Sequence, residues 1–214
     1  MAGNSRDHAQ AGLMIGGPQR ASHTIVLAHG AGAPMDSPFM NAFADGLAER
    51  DFRVVRFEFP YMAARRKGGR RGPPDREPVL REAYAAVVAS LGGERLVIGG
   101  KSLGGRIASL IADEIGVAGL VCLGYPFHPP GKPRVLRTKH LRAIRTPALI
   151  VQGQRDSLGN QDEVAGYELS RNIRIHWLAD GDHSFKPRKA SGRSEQQNWQ
   201  EGIQAVAGFV SSLG

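Results

Sequence analysis

Cysteine is almost missing from this 214-residue chain. Its single thiol, Cys122, excludes an internal disulfide and any multi-cysteine metal site. Long hydrophobic runs are missing too. The longest, such as Pro147–Val151, are strand-sized and far short of the roughly 18 apolar residues of a membrane span. The first ten residues, MAGNSRDHAQ, contain no apolar core of the kind a secretory signal needs, so a cytoplasmic protein without membrane association is expected. Disorder is excluded by a balance of 41% hydrophobic and 22% charged residues. At roughly 100–200 residues per domain, one domain or a tight pair accounts for the length.

Positive charge is what the chain has in excess, +8 in net terms, and that excess is local. Residues 65–76 (RRKGGRRGPPDR) and 132–145 (KPRVLRTKHLRAIR) together hold 12 of the 28 Lys/Arg and one of the 20 Asp/Glu. The remainder carries 16 basic against 19 acidic residues, so two basic segments decorate a mildly acidic domain. Neither segment interleaves aromatic residues that could stack on bases, which disfavours a nucleic-acid reader.

Short apolar runs alternate with amphipathic stretches from residue 24 onward. Thr24–Ala28, Phe52–Phe59, Arg95–Gly99, Gly119–Gly124, Ala148–Gln152 and Ile173–Leu178 read as strands, most of them β-branched or aromatic and bounded by Gly or Pro. Several are apolar at successive positions, as strands of a parallel sheet covered on both faces are. Helical spacing marks Phe39–Arg50, with Ser37 as cap and Pro38 at the first position, Pro78–Leu91, Leu103–Ile115 up to Gly116, and about Glu195–Leu213. The alternation predicts a doubly wound, mostly parallel α/β sheet of about six to seven strands over residues 23–214. Residues 1–22 fit a tail or an extra edge strand.

Between the strand ending at Gly99 and the helix starting at Leu103 stands Gly100-Lys101-Ser102-Leu103-Gly104. This is G-x-S-x-G in strand–turn–helix context, where a strained turn lifts a serine hydroxyl above the sheet. Side chains at positions 100 and 104 would collide with neighbouring backbone, which calls for glycine. The other reading of the pentapeptide is a glycine-rich turn whose serine caps the helix. A phosphate-binding loop is excluded, because position 95, where its first glycine belongs, is arginine.

A serine hydroxyl needs a base, and the base needs an orienting carboxylate. In the chain order Ser, acid, His, Asp156 follows the Ala148–Gln152 strand and His183 follows the Ile173–Leu178 strand, both at strand carboxyl ends. Asp162 is the rival acid but falls in a helical segment. Asp180 and Asp182 sit close enough to His183 in the chain to brace its loop. His8, His23, His128, His140 and His176 have no acid in strand-end register, and Cys122 lies mid-strand as a small apolar side chain. His29-Gly30-Ala31-Gly32 follows the first clear strand. Its small residues let a second backbone donor approach, Ala31 first and Gly32 next, to pair with the Leu103 amide as an oxyanion hole; His29 braces that loop.

Together these residues resemble the α/β-hydrolase superfamily and, more narrowly, its small lidless branch, similar to dienelactone-hydrolase-like enzymes and to the hydrolase-like domain of NSL-complex subunits. The resemblance spans about residues 22–213. It is carried by residues 29–32, 61–66, 100–105, 124–130 (GYPFHPP), 153–156 (GQRD) and 181–185 (GDHSF). Dienelactone hydrolases themselves place cysteine at the elbow, where this chain has serine. The stretch Tyr125–Pro147, about two dozen residues, is too short for the helical lid of many lipases.

The resemblance and the residues imply a serine hydrolase. Ser102 attacks a small carboxylic ester or thioester, His183 moves the proton, Asp156 orients the imidazole, and no metal or organic cofactor takes part. Both basic segments follow strand carboxyl ends, so Arg65, Arg66 and Lys101 are expected to favour an anionic acyl substrate, with Tyr125 and Phe127 shaping its pocket. The competing reading is a non-catalytic interaction module that docks acidic partners through the same basic loops.

Overall fold

The computed structural model describes residues 12–69, 72–92 and 95–214. Among the described residues, one seven-stranded sheet runs in the order β1-β3-β2-β4-β5-β6-β7. Its strands are β1 (Leu13–Gly16), β2 (Thr24–Ala28), β3 (Arg53–Phe57), β4 (Leu96–Lys101), β5 (Gly119–Leu123), β6 (Ala148–Gly153) and β7 (Ile173–Leu178). β1 lies antiparallel to β3, and every other pairing is parallel. The segment 1–22 thus supplies an edge strand at Leu13–Gly16; residues 1–11 lie outside the described residues.

Side chains alternate across each strand, so successive apolar residues feed two cores. Val26 and Ala28 of β2 join Ile98 and Cys122 beneath α3 (Glu77–Leu91) and α4 (Leu103–Ile115). Ile25 and Leu27 join Val97 and Val121 beneath α1 (Pro38–Ala48) and the last helix, Glu195–Ser211. Each fully buried Val, Leu, Ile or Phe contributes roughly 1.5–3 kcal/mol by leaving water. Cys122 belongs to this packing: it is wholly buried, and burial pushes its thiol pKa up.

The helix signals act where the sequence places them. Ser37 accepts a hydrogen bond from the Met40 N–H at 3.5 Å, with Pro38 in the first turn. α4 stops at Gly116, whose φ of 73° is left-handed. One short helix was not foreseen: α2 (Pro60–Arg66) occupies the start of the first basic segment, whose residues 70–71 lie outside the described residues. At seven residues it is too short to show an apolar period. The second basic segment carries only a 3₁₀ turn, His140–Arg142, and no lid is present among the described residues. No helix there is long and apolar enough to cross a membrane.

The strand order positions the site. From β2 the chain steps through α1 to β3 on one side, then returns through α2 and α3 to β4 on the other side of β2. Such a reversal opens a crevice beyond the carboxyl ends of the two strands. Tyr84 of α3 fastens this seam: its hydroxyl lies 2.7 Å from both Val26 O and Gly99 O and accepts from the Gly99 N–H at 2.8 Å.

Candidate active site

β4 ends in a turn that few residues could make. Ser102 has φ 49° and ψ −107°, a left-handed conformation costing about 1–3 kcal/mol for a residue with a side chain. The two glycines around it relieve contacts with one atom. A Cβ at Gly100 would lie 2.1 Å from the Ala28 carbonyl oxygen, and one at Gly104 would lie 2.3 Å from it. β2 and α4 therefore approach closely enough to hold the turn rigid, with the hydroxyl raised at the crevice.

Three residues far apart in the chain converge there. Ser102 Oγ lies 2.9 Å from His183 Nε2, and His183 Nδ1 lies 2.8 Å from Asp156 Oδ2. Asp156 is fully buried while the His183 side chain keeps 27% of its surface. With a carboxylate accepting at Nδ1, the imidazole proton sits on that nitrogen and Nε2 faces the serine as an acceptor. In this arrangement the imidazole can take a proton from the hydroxyl while the carboxylate stabilises the cation that forms.

The carboxylate is itself held. Asp156 Oδ1 accepts from the Leu158 N–H at 2.8 Å, and Oδ2 accepts from Gln152 Nε2 at 2.9 Å. Gln152 is fully buried, and its Oε1 accepts from the Tyr125 N–H at 2.7 Å. The His183 loop is braced as tightly. Asp182 accepts from the Ser184 and Lys186 N–H groups, Asn198 donates to Phe185 O at 2.8 Å, and Trp199 Nε1 donates to Ser184 O at 3.2 Å. Asp182 is thus a loop brace, and Asp180 pairs with Arg155 and Arg188.

The loop after β2 closes the other side. β2 and β4 pair Ala28 with Gly100, so residues 29–33 run beside the serine turn. A Cβ on Gly30 would be 3.9 Å from Ser102 Cβ, ordinary contact distance. His29 is buried and serves as a brace: its Nδ1 lies 2.6 Å from Gly30 O, and its Nε2 accepts from the Phe59 N–H at 3.1 Å. Burial lowers its pKa, which keeps the acceptor nitrogen neutral. Tyr61 adds a hydroxyl hydrogen bond to Ala31 O at 3.0 Å. Leu103 opens α4, so its N–H has no intrahelical partner and lies at the positive end of the helix dipole.

Between these walls lies a cleft of about 570 Å³. Ser102, His183 and Lys101 line it together with Ala31, Gly32, the apolar Phe39, Met40 and Trp199, and Glu195 and Ser184. Among the described residues, no group of His, Cys, Asp and Glu is placed to hold a metal ion.

Four residues expected to meet a substrate do not line this cleft. Tyr125 and Phe127 are fully buried and pack on each other in the core beneath α4, their rings 4.9 Å apart. Their large apolar area goes to the interior, and Tyr125 reaches the site only through its backbone contact with Gln152. Arg65 and Arg66 do not line the cleft. They border a separate depression of about 420 Å³ that shares Gly32 with it. Arg66 is held by Asp36 at 2.8 Å and by Glu58 at 2.7 Å, which raises its pKa and cancels its charge locally. Arg65 stacks over the Tyr61 ring at 5.0 Å and donates to Gly72 O. Lys101 does border the cleft, but its ammonium is turned to the backbone of the His183 loop.

Gln152, Phe39 and Trp199 were not singled out in the sequence. Gln152 left a signal, a polar residue at the end of an otherwise apolar strand; Phe39 and Trp199 fall in helical segments, where the residue type alone does not separate core from cleft.

A family model described as an alpha/beta hydrolase domain matches residues 21–211. The chain belongs to the alpha/beta hydrolase domain family. Solved structures of similar fold include an alpha-beta serine hydrolase homologue from Coxiella burnetii, 21% identical, with a TM-score of 0.70 over 91% of this chain and 90% of that one. Est1E from Butyrivibrio proteoclasticus, solved with ferulic acid, is 13% identical with a TM-score of 0.70, over 94% and 95% of the two chains. An a/b serine hydrolase without lid from Xanthomonas campestris is 16% identical with a TM-score of 0.64, over 91% and 88%. At these identities the likeness is one of fold, and this α/β-hydrolase chain shares its lidless form.

Proposed function

We propose that this protein is a serine hydrolase that cleaves a small carboxylic ester or thioester through an acyl-enzyme. The observation that carries the reading is the 2.9 Å contact between Ser102 Oγ and His183 Nε2, with Asp156 behind the imidazole. Ser102 attacks the acyl carbon as His183 Nε2 takes its proton. The resulting imidazolium is stabilised by Asp156, and the oxyanion is received by the Leu103 and Ala31 amides. Collapse of this intermediate expels the alcohol or thiol, which takes its proton from His183. Water, activated by the same imidazole, then releases the acid and restores the serine.

The substrate proposed is uncharged at its acyl group. The cleft is mostly apolar, Glu195 is the one carboxylate lining it among the described residues, and Arg65 and Arg66 border a different depression. Support for an anionic acyl group therefore falls away.

A fluorophosphonate probe tests the assignment. Wild-type protein is expected to be labelled and Ser102→Ala is not. An unlabelled, folded wild type would refute the reading and favour a non-catalytic docking module instead.

A further inference from the structure

We infer that Lys101 is a positioning residue, whose side chain latches the backbone of the His183 loop onto the serine turn. The inference rests on reading Ser102 and His183 as the reacting pair. Lys101 Nζ donates to the His183 carbonyl oxygen at 2.6 Å, while the neighbouring residue in the chain, Ser102, meets the His183 ring at 2.9 Å. Two consecutive residues therefore grip one histidine, the first by its backbone and the second by its imidazole. With the carbonyl held, movement of the His183 backbone away from the serine turn is restrained.

The surroundings of the ammonium fit this single task. Lys101 is 9% exposed, and among the described residues no carboxylate lies within ion-pair distance of it. Its charge instead faces two adjoining aromatic rings, 5.5 Å from the Phe39 ring centre and 5.7 Å from that of Phe185. A Cβ on Gly124 would fall 2.7 Å from Nζ and 2.9 Å from the His183 oxygen, so the two polar atoms meet in a space only glycine leaves open. Gly124 adopts the left-handed φ of 66° that brings its backbone to that point. The stem runs beneath the loop after β2, where a Cβ on Gly30 would touch Lys101 Cγ at 3.4 Å.

Burying an ammonium is costly, and a solvated lysine would avoid that cost. Here desolvation draws the pKa down to about 8, against which Asp156 and Asp182 favour the charged form. A methionine or leucine would fill the same space without penalty, so the charge is explained by what it holds. The carbonyl of a turn residue otherwise left without a donor is secured, and with it the height of the imidazole over Ser102.

Lys101→Met, which keeps the stem and removes the donor, tests the latch. KM for a chromogenic ester is expected to stay within about 2-fold of wild type, while kcat and the fluorophosphonate labelling rate each fall about 10- to 100-fold, the loss expected from an ångström-scale misplacement. Wild-type kcat in a folded Lys101→Met overturns the proposal, as does a loss confined to KM. Should that variant fail to fold, Lys101→Gln replaces it: its amide is one atom shorter and does not reach the carbonyl, so the same split is expected and undiminished kcat is again fatal. The two readings fail separately. A wild type that does not label defeats the hydrolase assignment; a wild type and a Lys101→Met that label equally fast defeat only the latch.

Discussion

Replacing Asp156 by Asn changes one atom and leaves the shape of the site intact, yet the hydrogen bonds around it allow no neutral solution. In the native site Oδ1 accepts from the Leu158 N–H at 2.8 Å, and Oδ2 accepts from both Gln152 Nε2 and His183 Nδ1, at 2.9 and 2.8 Å. All three partners are donors, so both positions require an acceptor. If the Asn oxygen faces Leu158, its NH₂ faces the Gln152 amide and the His183 ring. The ring must then carry its proton on Nε2, where it can no longer receive the one from Ser102. If the Asn is turned over, its NH₂ opposes the Leu158 N–H, and a buried donor is left unpaired at about 1–3 kcal/mol. In either state the carboxylate charge that stabilises the imidazolium is gone. At ion-pair separation that attraction is on the order of 4 kcal/mol for an effective dielectric constant near 20. Together these losses correspond to a fall in kcat of about 10⁴- to 10⁵-fold, with KM nearly unchanged because Asp156 is buried and does not touch the cleft. Steady-state kinetics on a p-nitrophenyl ester, with circular dichroism to verify folding, measure this directly. A folded Asp156→Asn within 10-fold of wild-type kcat would refute the claim that Asp156 orients and stabilises the imidazole.

Two further perturbations probe the scaffold. Gly104→Ala puts a methyl group 2.3 Å from the Ala28 oxygen; backbone must move, at about 1–3 kcal/mol or more, so thermal denaturation should show a melting temperature several degrees lower, and an unshifted one would mean that the elbow is not closely packed. Arg66→Ala is expected to leave the ratio of kcat/KM for a succinyl ester to that for a neutral ester within about 2-fold of wild type, because its guanidinium is already held by Asp36 and Glu58. It should lower stability modestly, since the Glu58 side chain is only 4% exposed and loses its partner. A selective loss toward the anionic ester would restore the basic rim as a substrate device.

The residues most legible in the sequence are those tied to local backbone demands. Ser102 is announced by glycines at 100 and 104 because the close approach of Ala28 excludes any Cβ there, and such exclusion is written in the residue type itself. Asp156 and His183 are announced by position, since a parallel sheet brings successive strand ends to one edge whatever the intervening helices contain. The short helix α2 left no mark, being too brief for its apolar residues to repeat. Tyr125 and Phe127 misled for a related reason: both stand beside a strand end, and nothing in GYPFHPP states whether the chain turns outward or inward. The left-handed Gly124 and the grip of the Tyr125 backbone on Gln152 direct it inward.

Charge was the least transferable signal. Arg66 and Lys101 count equally in the net +8, yet one is neutralised by Asp36, 30 positions earlier in the chain, and by Glu58, while the other is buried against a carbonyl 82 positions away. The doubly wound sheet, the serine turn and the strand-end places of Asp156 and His183 are legible along the chain, because hydrophobic period and steric exclusion act between near neighbours. Only the folded chain shows which carboxylates Arg66 pairs with, which aromatics meet the cleft, and that Lys101 and Ser102 contact the same histidine. These depend on distances between residues that the chain keeps far apart and only the fold brings together.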